Sequence, residues 1–338
     1  MSLAEPSLPR RAFTTRLNGF LANGGIVLLL ILLIAVVTAI IQPRFLNQQN
    51  ILNVLRNTAI LSIISMGQML VMIVGGFDLS VGVIVAFASI ETALVMSALL
   101  QWMPEMQFLA VVLAVAIALA SGAAIGMVNG VLVARLSLSP FMVTLAMSSV
   151  IAGATFYVTK GIPVYGMPEF FTHGVGRSFL LGVPTVVVVG LLVVLTTIAV
   201  QRLTRFGRHV YAVGSNPVAS RQSGIPVDAV LVATYAISGL TAAITGILLT
   251  ARIGSGQSTL GGTFVLESIA AAVVGGVSLL GGSGRAERVL LGALFLSLVS
   301  NSMNLMRIDS KFQTLVLGAV LLAALCFELL LRGRRKYG

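Results

Sequence analysis

Residues 202–228 read RLTRFGRHVYAVGSNPVASRQSGIPVD, a long, basic, helix-competent interruption in a chain that otherwise dissolves in lipid. Within it, Asn216 is a favoured N-cap type, Pro217 suits the first helical position, and Gly224 followed by Ile225-Pro226 is a stop. These signals predict roughly two turns of helix. So short a helix is not stable alone, and the reading is that it docks against a partner.

The sequence on either side explains why such a break stands out. Hydrophobic residues make up 57% of the 338, charged residues 9%, and the mean hydropathy is +1.05. An ordinary soluble domain carries about a quarter charged residues, so the composition is that of an all-α polytopic membrane protein. The net charge of +11 does not argue for nucleic acid, because the basic residues fall between and after apolar runs and are explained by topology. The lone Cys326 sits in the last apolar run, which leaves no intrachain disulfide. Arg10, Arg11 and Arg16 precede the first apolar segment, and no small-x-small cleavage site follows Ile41, so that segment reads as a retained span.

At about twenty apolar residues per span, ten helices are predicted: 25–41, 59–75, 81–100, 108–134, 140–158, 182–200, 229–251, 264–280, 289–305 and 312–331. An inside N-terminus then puts 14 of the 21 basic residues on the cytoplasmic side, among them Arg135, Arg285, Arg288 and the tail from Arg332. Seven fall outside: Arg44, Arg56, Lys160, Arg177, Arg252, Arg307 and Lys311. The excess places both termini in the cytoplasm. The expected organisation is a cytoplasmic segment 1–24, a transmembrane domain 25–331 containing the loop 202–228, and a basic tail 332–338.

Two spans are broken. Val74-Gly75-Gly76-Phe77-Asp78-Leu79-Ser80-Val81-Gly82 puts glycines and a carboxylate into an apolar run, which membrane depth tolerates only inside protein or beside a water-filled cavity. Asp78, with Ser80 beside it, reads either as a cap accepting N–H bonds from the following helix or as a substrate contact. Val274-Gly275-Gly276-Val277-Ser278-Leu279-Leu280-Gly281-Gly282 echoes it 200 residues on. That repetition hints at an internal duplication of the kind from which transporters are often built.

Other polar residues within spans are Glu91, Asn129, Glu267, Asn301 and Asn304. Each is costly facing lipid and is expected to face the bundle interior. For the asparagines the competing roles are interhelical hydrogen bonding and substrate contact; for the carboxylates no partner is evident. Ser255, Gln257 and Thr259 form either an outer entrance or an ordinary polar loop. Gly122-Ala-Ala-Ile-Gly126 fits close helix packing.

The three lysines, Lys160, Lys311 and Lys336, sit in no phosphate-cradling Gly-x-x-x-x-Gly-Lys-Ser/Thr loop, so any ATP energy must arrive from another chain. No His-Glu-x-x-His, cysteine cluster or Gly-x-Ser-x-Gly elbow is present. Neither a metal site nor a catalytic residue is predicted, and the chain is read as a non-enzyme.

The ordered motifs resemble the permease subunits of ribose-type ATP-binding-cassette importers. Gly75-Gly76-Phe77-Asp78-Leu79-Ser80-Val81-Gly82 is close to the GGIDLSVG of that family. Residues 204–214, 216–225, 266–271 and 275–285 continue the likeness along nearly the whole chain. The resemblance implies a coupling helix with the spacing Ala219-Ser220-x-x-x-Gly224, seated in a groove of a separate ATPase subunit that binds ATP and magnesium. Gly207, Arg208 and Asn216 belong to the same coupling set, and Val218 stands where importers of other branches carry glutamate. It also implies a periplasmic sugar-binding protein, a second permease copy as homodimer or related chain, and a place in the bacterial inner membrane. Asp78, Ser80, Asn129, Glu267, Asn301 and Asn304 become candidates for the substrate pathway. The alternatives left open are a nucleoside or other small polar solute, or an ion-coupled carrier using Asp78, Glu91 or Glu267. Ala286-Glu287 after Arg285 departs from the family's Gly-Thr pair.

Overall fold

The computed structural model describes residues 25–336; the expected cytoplasmic segment 1–24 and the last two residues of the tail lie outside them. Twelve α-helices of six or more residues carry most of the described chain: α1 Ile26–Ile41, α2 Gln48–Ile73, α3 Val81–Trp102, α4 Gln107–Arg135, α5 Pro140–Thr159, α6 Thr185–Leu203, α7 Arg205–Ser215, α8 Pro217–Gln222, α9 Val227–Ile253, α10 Phe264–Val274, α11 Ala286–Leu305 and α12 Ser310–Lys336. A small antiparallel hairpin, β1 Phe179–Leu180 and β2 Val183–Pro184, precedes α6.

Seven helices (α2 to α6, α9 and α11) are long and apolar enough to cross a membrane. Three shorter apolar helices, Ile26–Ile41, Phe264–Val274 and the Lys311–Ala323 part of α12, stand where the first, eighth and tenth spans were expected. Two boundaries differ from the sequence reading by six residues or more. Helix α2 starts at Gln48 rather than 59, because Asn47 accepts the Gln49 N–H (3.1 Å) through its side chain and starts a helix through polar residues that hydropathy alone rejects. Helix α10 stops at Val274 rather than 280, because Gly276 takes a positive φ of 78° and turns the chain.

Helices α2 and α9 are the centre. Every residue of α2 from Thr58 to Ile73 is buried, against α9, α11, α10 and α6. Helix α9 packs in turn on α4, α3 and α2. The α4–α9 contact is close: a Cβ on Gly126 would lie 2.1 Å from the Tyr235 carbonyl oxygen, so only glycine lets the backbones meet there. Helices α1 and α5 present broad apolar faces outward, as lipid-facing helices do.

The two breaks leave their helices by the same turn. After α2, the Gly76 N–H donates to Val71 O (2.9 Å) and the Gly75 N–H to Met72 O (3.0 Å). After α10, Val277 donates to Ala272 (2.9 Å) and Gly276 to Val273 (2.8 Å). Both are Schellman closures around a left-handed glycine, Gly75 at φ 83° and Gly276 at φ 78°. The helix ends therefore correspond at an offset of 201, from Gly75 to Gly276, one more than the sequence identities suggest. The next turn returns to 200, with Asp78 accepting from Ser80 N (3.0 Å) and Ser278 Oγ accepting from Leu280 N (3.2 Å).

Candidate functional site

The residues 74–80 that follow α2 converge on one buried carboxylate. Asp78 is fully buried; its Oδ1 accepts from the Ser80 N–H (3.0 Å) and Ser80 Oγ (2.6 Å), and its Oδ2 accepts from Ser238 Oγ of α9 (2.8 Å). Asn129 Nδ2 of α4 donates to Ser80 Oγ (2.9 Å). Asp78 thus closes a local turn and ties α9, and through Ser80 also α4, to the break, rather than capping several turns of α3, whose first residue is Val81. Tyr235, also of α9 and buried, stands over the same turn, with its hydroxyl 3.4 Å from Phe77 O.

The other candidates lie elsewhere. Asn301 exchanges hydrogen bonds with Asn50 (2.8 and 3.1 Å), joining α11 to the start of α2, and Asn304 accepts from Gln313 Nε2 (2.8 Å). Both pairs lie toward the far end of the bundle from the Asp78 turn, since α2 runs its length between Asn50 and that turn. Glu267 sits half-buried in the first turn of α10. Glu91 of α3 accepts from Ser121 Oγ (2.8 Å). In the loop after α9 Ser255 is buried and accepts from Gln257 Nε2 (2.9 Å), while Gln257 N–H reaches Ser89 of α3 (3.2 Å). Asn50→Ala and Asn301→Ala should each destabilise modestly, with a double-mutant coupling of about 0.6 kcal/mol, as is typical of hydrogen bonds between membrane helices.

The segment 202–228 forms two helices, not one. Thr204 Oγ1 caps α7 by accepting from Gly207 N (3.0 Å), and Val210 and Val213 bury its inner face. Gly207 is buried against the end of α6, where a Cβ would lie 2.2 Å from Val200 O, whereas Arg208 is exposed. Asn216 then caps α8 (Ala219 N to Oδ1, 2.9 Å), with Pro217 at its first position. Gly224 ends it at φ 78°, as Ile225 N donates to Ser220 O (3.0 Å). Ser220 faces inward, 5% exposed, whereas Pro217, Val218, Ala219, Arg221 and Gln222 face out. Arg221 pairs with Asp228 at 2.6 Å.

Helix α7 reaches both breaks. Tyr211 donates its hydroxyl to Gly284 O (2.6 Å), and Gly282 N donates to Ile73 O (2.8 Å). At Gly214 the backbones meet so closely that a Cβ would lie 1.7 Å from Ile73 O and 2.8 Å from Gly282 N. Nearby, Gln201 Oε1 accepts from Ala286 N (3.0 Å), and Arg202 pairs with Glu287. The departure at 286–287 thus supplies the carboxylate that clasps α6 to α11. Half-burial and the Glu287 charge raise the Tyr211 hydroxyl above its ordinary value, so it donates at neutral pH.

Sequence reasoning missed α7, Ser238, Tyr235 and Gln68. The spacing of Phe206, Val210 and Val213 was the available signal for α7. Gln68, fully buried in α2, could have been found by the rule that flagged Glu91. Nothing local marks Ser238, since its partner is 160 residues away.

A family described as branched-chain amino acid transport system / permease component matches residues 50–325. The chain is 38% identical over 324 residues to the ribose import permease protein of Escherichia coli, covering 94% of this chain and 96% of that one. It is 37% identical over 297 residues to its namesake in Bacillus subtilis (88% and 89%), and 31% identical over 340 residues to the galactose/methyl galactoside import permease protein of Escherichia coli (98% and 99%). No solved structure matches. The chain belongs to this family of permease components, and its relatives place it with the simple-sugar importers of the ATP-binding-cassette type.

Proposed function

We propose that the chain forms the membrane pathway of an importer that takes a monosaccharide from a periplasmic binding protein and moves it on ATP hydrolysis by a separate subunit. The ATP and magnesium belong to that subunit, and this chain is no enzyme. It works in the bacterial inner membrane, paired with a second copy or a related permease, with ten apolar helices crossing and both termini on the side of α8. The supporting observation is α8 itself: a helix of under two turns, capped at both ends by its own sequence, holding its outer face free. Docking there must differ in free energy between inward and outward states, or it could not shift their populations. The route from α8 through Gly214 to both breaks gives that difference somewhere to act. Asp78, Ser80 and Asn129 then hold the shape of the pathway wall at the first break.

Gly224→Arg tests this directly. A non-glycine residue at φ 78° costs about 1 kcal/mol, and no atom lies within 4 Å of the new Cβ, so the variant should insert and fold. ATP-driven uptake should fall by at least about tenfold, the factor that 1.4 kcal/mol of lost docking would produce. Normal uptake by the well-inserted variant would overturn the assignment of α8.

A further inference from the structure

At the end of the bundle opposite α8, two half-buried arginines lie near each other without an ion-pair partner among the described residues. Arg252 Nη1 of α9 donates to Asn57 Oδ1 (2.8 Å), which follows Arg56 of α2 directly in sequence, so the two arginines sit on adjoining positions of neighbouring helices. Arg177 adds a third, its Nη2 lying 3.9 Å from the position of a Cβ on Gly254. The ion pairs among the described residues involve Arg202 and Arg221 instead. Arg56 Nε is buried with no hydrogen-bond acceptor; the group packed on this guanidinium is the Phe179 ring, 5.4 Å from Cζ.

That ring belongs to a hairpin built for lipid. Phe179 pairs with Pro184 and Leu180 with Val183, leaving Leu181-Gly182 as a two-residue turn with φ of 51° and 80°. Turns of this kind ordinarily take asparagine, aspartate or glycine first. Here leucine occupies the left-handed position and is 97% exposed, with Phe179 and Leu180 more than half exposed behind it. An apolar side chain held out at such a backbone cost has no rationale in water. Tyr157 and Tyr165, also exposed toward this end, are residues typical of a membrane interface.

We propose that Arg56 and Arg252, flanked by Arg177, bind the phosphate of an anionic phospholipid at the base of this hairpin, whose tip enters the acyl region. Guanidinium forks match phosphate oxygens bidentately, and a phosphate would give Arg56 Nε an acceptor and separate two like charges with an anion. The proposal is independent of what the chain transports.

The test is native mass spectrometry of the full chain released from nanodiscs of mixed phosphatidylglycerol and phosphatidylcholine. Phosphatidylglycerol should be retained preferentially, and Arg56→Gln with Arg252→Gln should lower that preference by about twenty-five-fold, at roughly fivefold per guanidinium. Lys160→Gln, an exposed cation at the same end, should leave it unchanged. Arg56→Lys with Arg252→Lys keeps the charge without the fork and should give an intermediate value, which preserves the test should the glutamine pair fail to fold in detergent. Equal retention of the two lipids, or an unchanged preference in a folded glutamine or lysine pair, would overturn the proposal. So would equal protection of the detergent-solubilised chain by inorganic phosphate or by an acidic peptide.

Discussion

Replacing Gly214 with alanine is expected to destabilise the detergent-solubilised chain by about 2–5 kcal/mol and to abolish uptake even in protein that survives. The new methyl group would occupy a point 1.7 Å from Ile73 O, so the backbone must separate. Ile73 O is also the acceptor for Gly282 N–H, at 2.8 Å. The substitution therefore combines overpacking, worth about 1–3 kcal/mol, with a buried hydrogen bond lost on both sides, worth a similar amount. On the coupling role proposed for α8, the close contact among α7, the end of α2 and the 281–284 turn is the path by which a displacement of α8 would reach either break, and opening it would remove that path. Gly153→Ala is the comparison, since nothing lies within 4 Å of its Cβ; it should be neutral or slightly stabilising. Unfolding in denaturant and ATP-driven uptake, measured on both variants, settle the matter. Equal behaviour of the two would remove the contact from any account of coupling.

This junction also marks where sequence reading ran out. Each expected span falls largely on a helix of the structure, because twenty apolar residues in a row leave the backbone little alternative in lipid. The α8 signals were equally local: Asn216, Pro217 and Gly224 each act on backbone groups within three residues of themselves. Burial was not legible. Helices α1 and α2 both read as apolar spans, yet α2 is enclosed from Thr58 to Ile73 while Leu32, Leu33 and Ile40 of α1 are more than half exposed. Hydropathy reports the cost of leaving water and is blind to whether lipid or protein replaces it. The same blindness hid the partners of Asp78. Its acceptor oxygens are satisfied by Ser80, which any reader of the turn would consider, and by Ser238, which only the packing of α9 brings near. The one-residue slip between the breaks has a related cause. Matching letters align at 200, but helix termination is decided by which glycine takes the left-handed conformation, and in the second break that is the later of the pair.

Asp78→Ala should cost about 3–5 kcal/mol, while Asp78→Asn should cost about 1–2 kcal/mol. The alanine variant leaves the Ser80 N–H and the Ser238 hydroxyl without their acceptor in a site that water does not reach, and removes the carboxylate that ties the break to Ser238 of α9. Deleting one member of a buried charged network carries costs of that size. Asparagine keeps one oxygen, which can still accept from Ser80 N and Oγ. Its amide can donate to Ser238 if that hydroxyl turns to accept, so the geometry survives with weaker, uncharged bonds. Were Asp78 chiefly a wall of the pathway held in place for folding, uptake per folded molecule would follow the stability order, with the asparagine variant near normal. Were it a direct sugar contact, Asp78→Asn would leave stability almost intact and still raise the KM for uptake sharply, because a sugar hydroxyl would meet a weaker acceptor. Thermal unfolding alongside uptake kinetics separates the two, and the full burial of the carboxylate with both oxygens already accepting favours the first. The same measurements on Ser238→Ala sharpen the distinction: the lost Oδ2 bond costs stability on either reading, but a structural hub predicts an unchanged KM per folded molecule, whereas a sugar ligand at Asp78 Oδ1 predicts a raised one because its carboxylate loses an anchor.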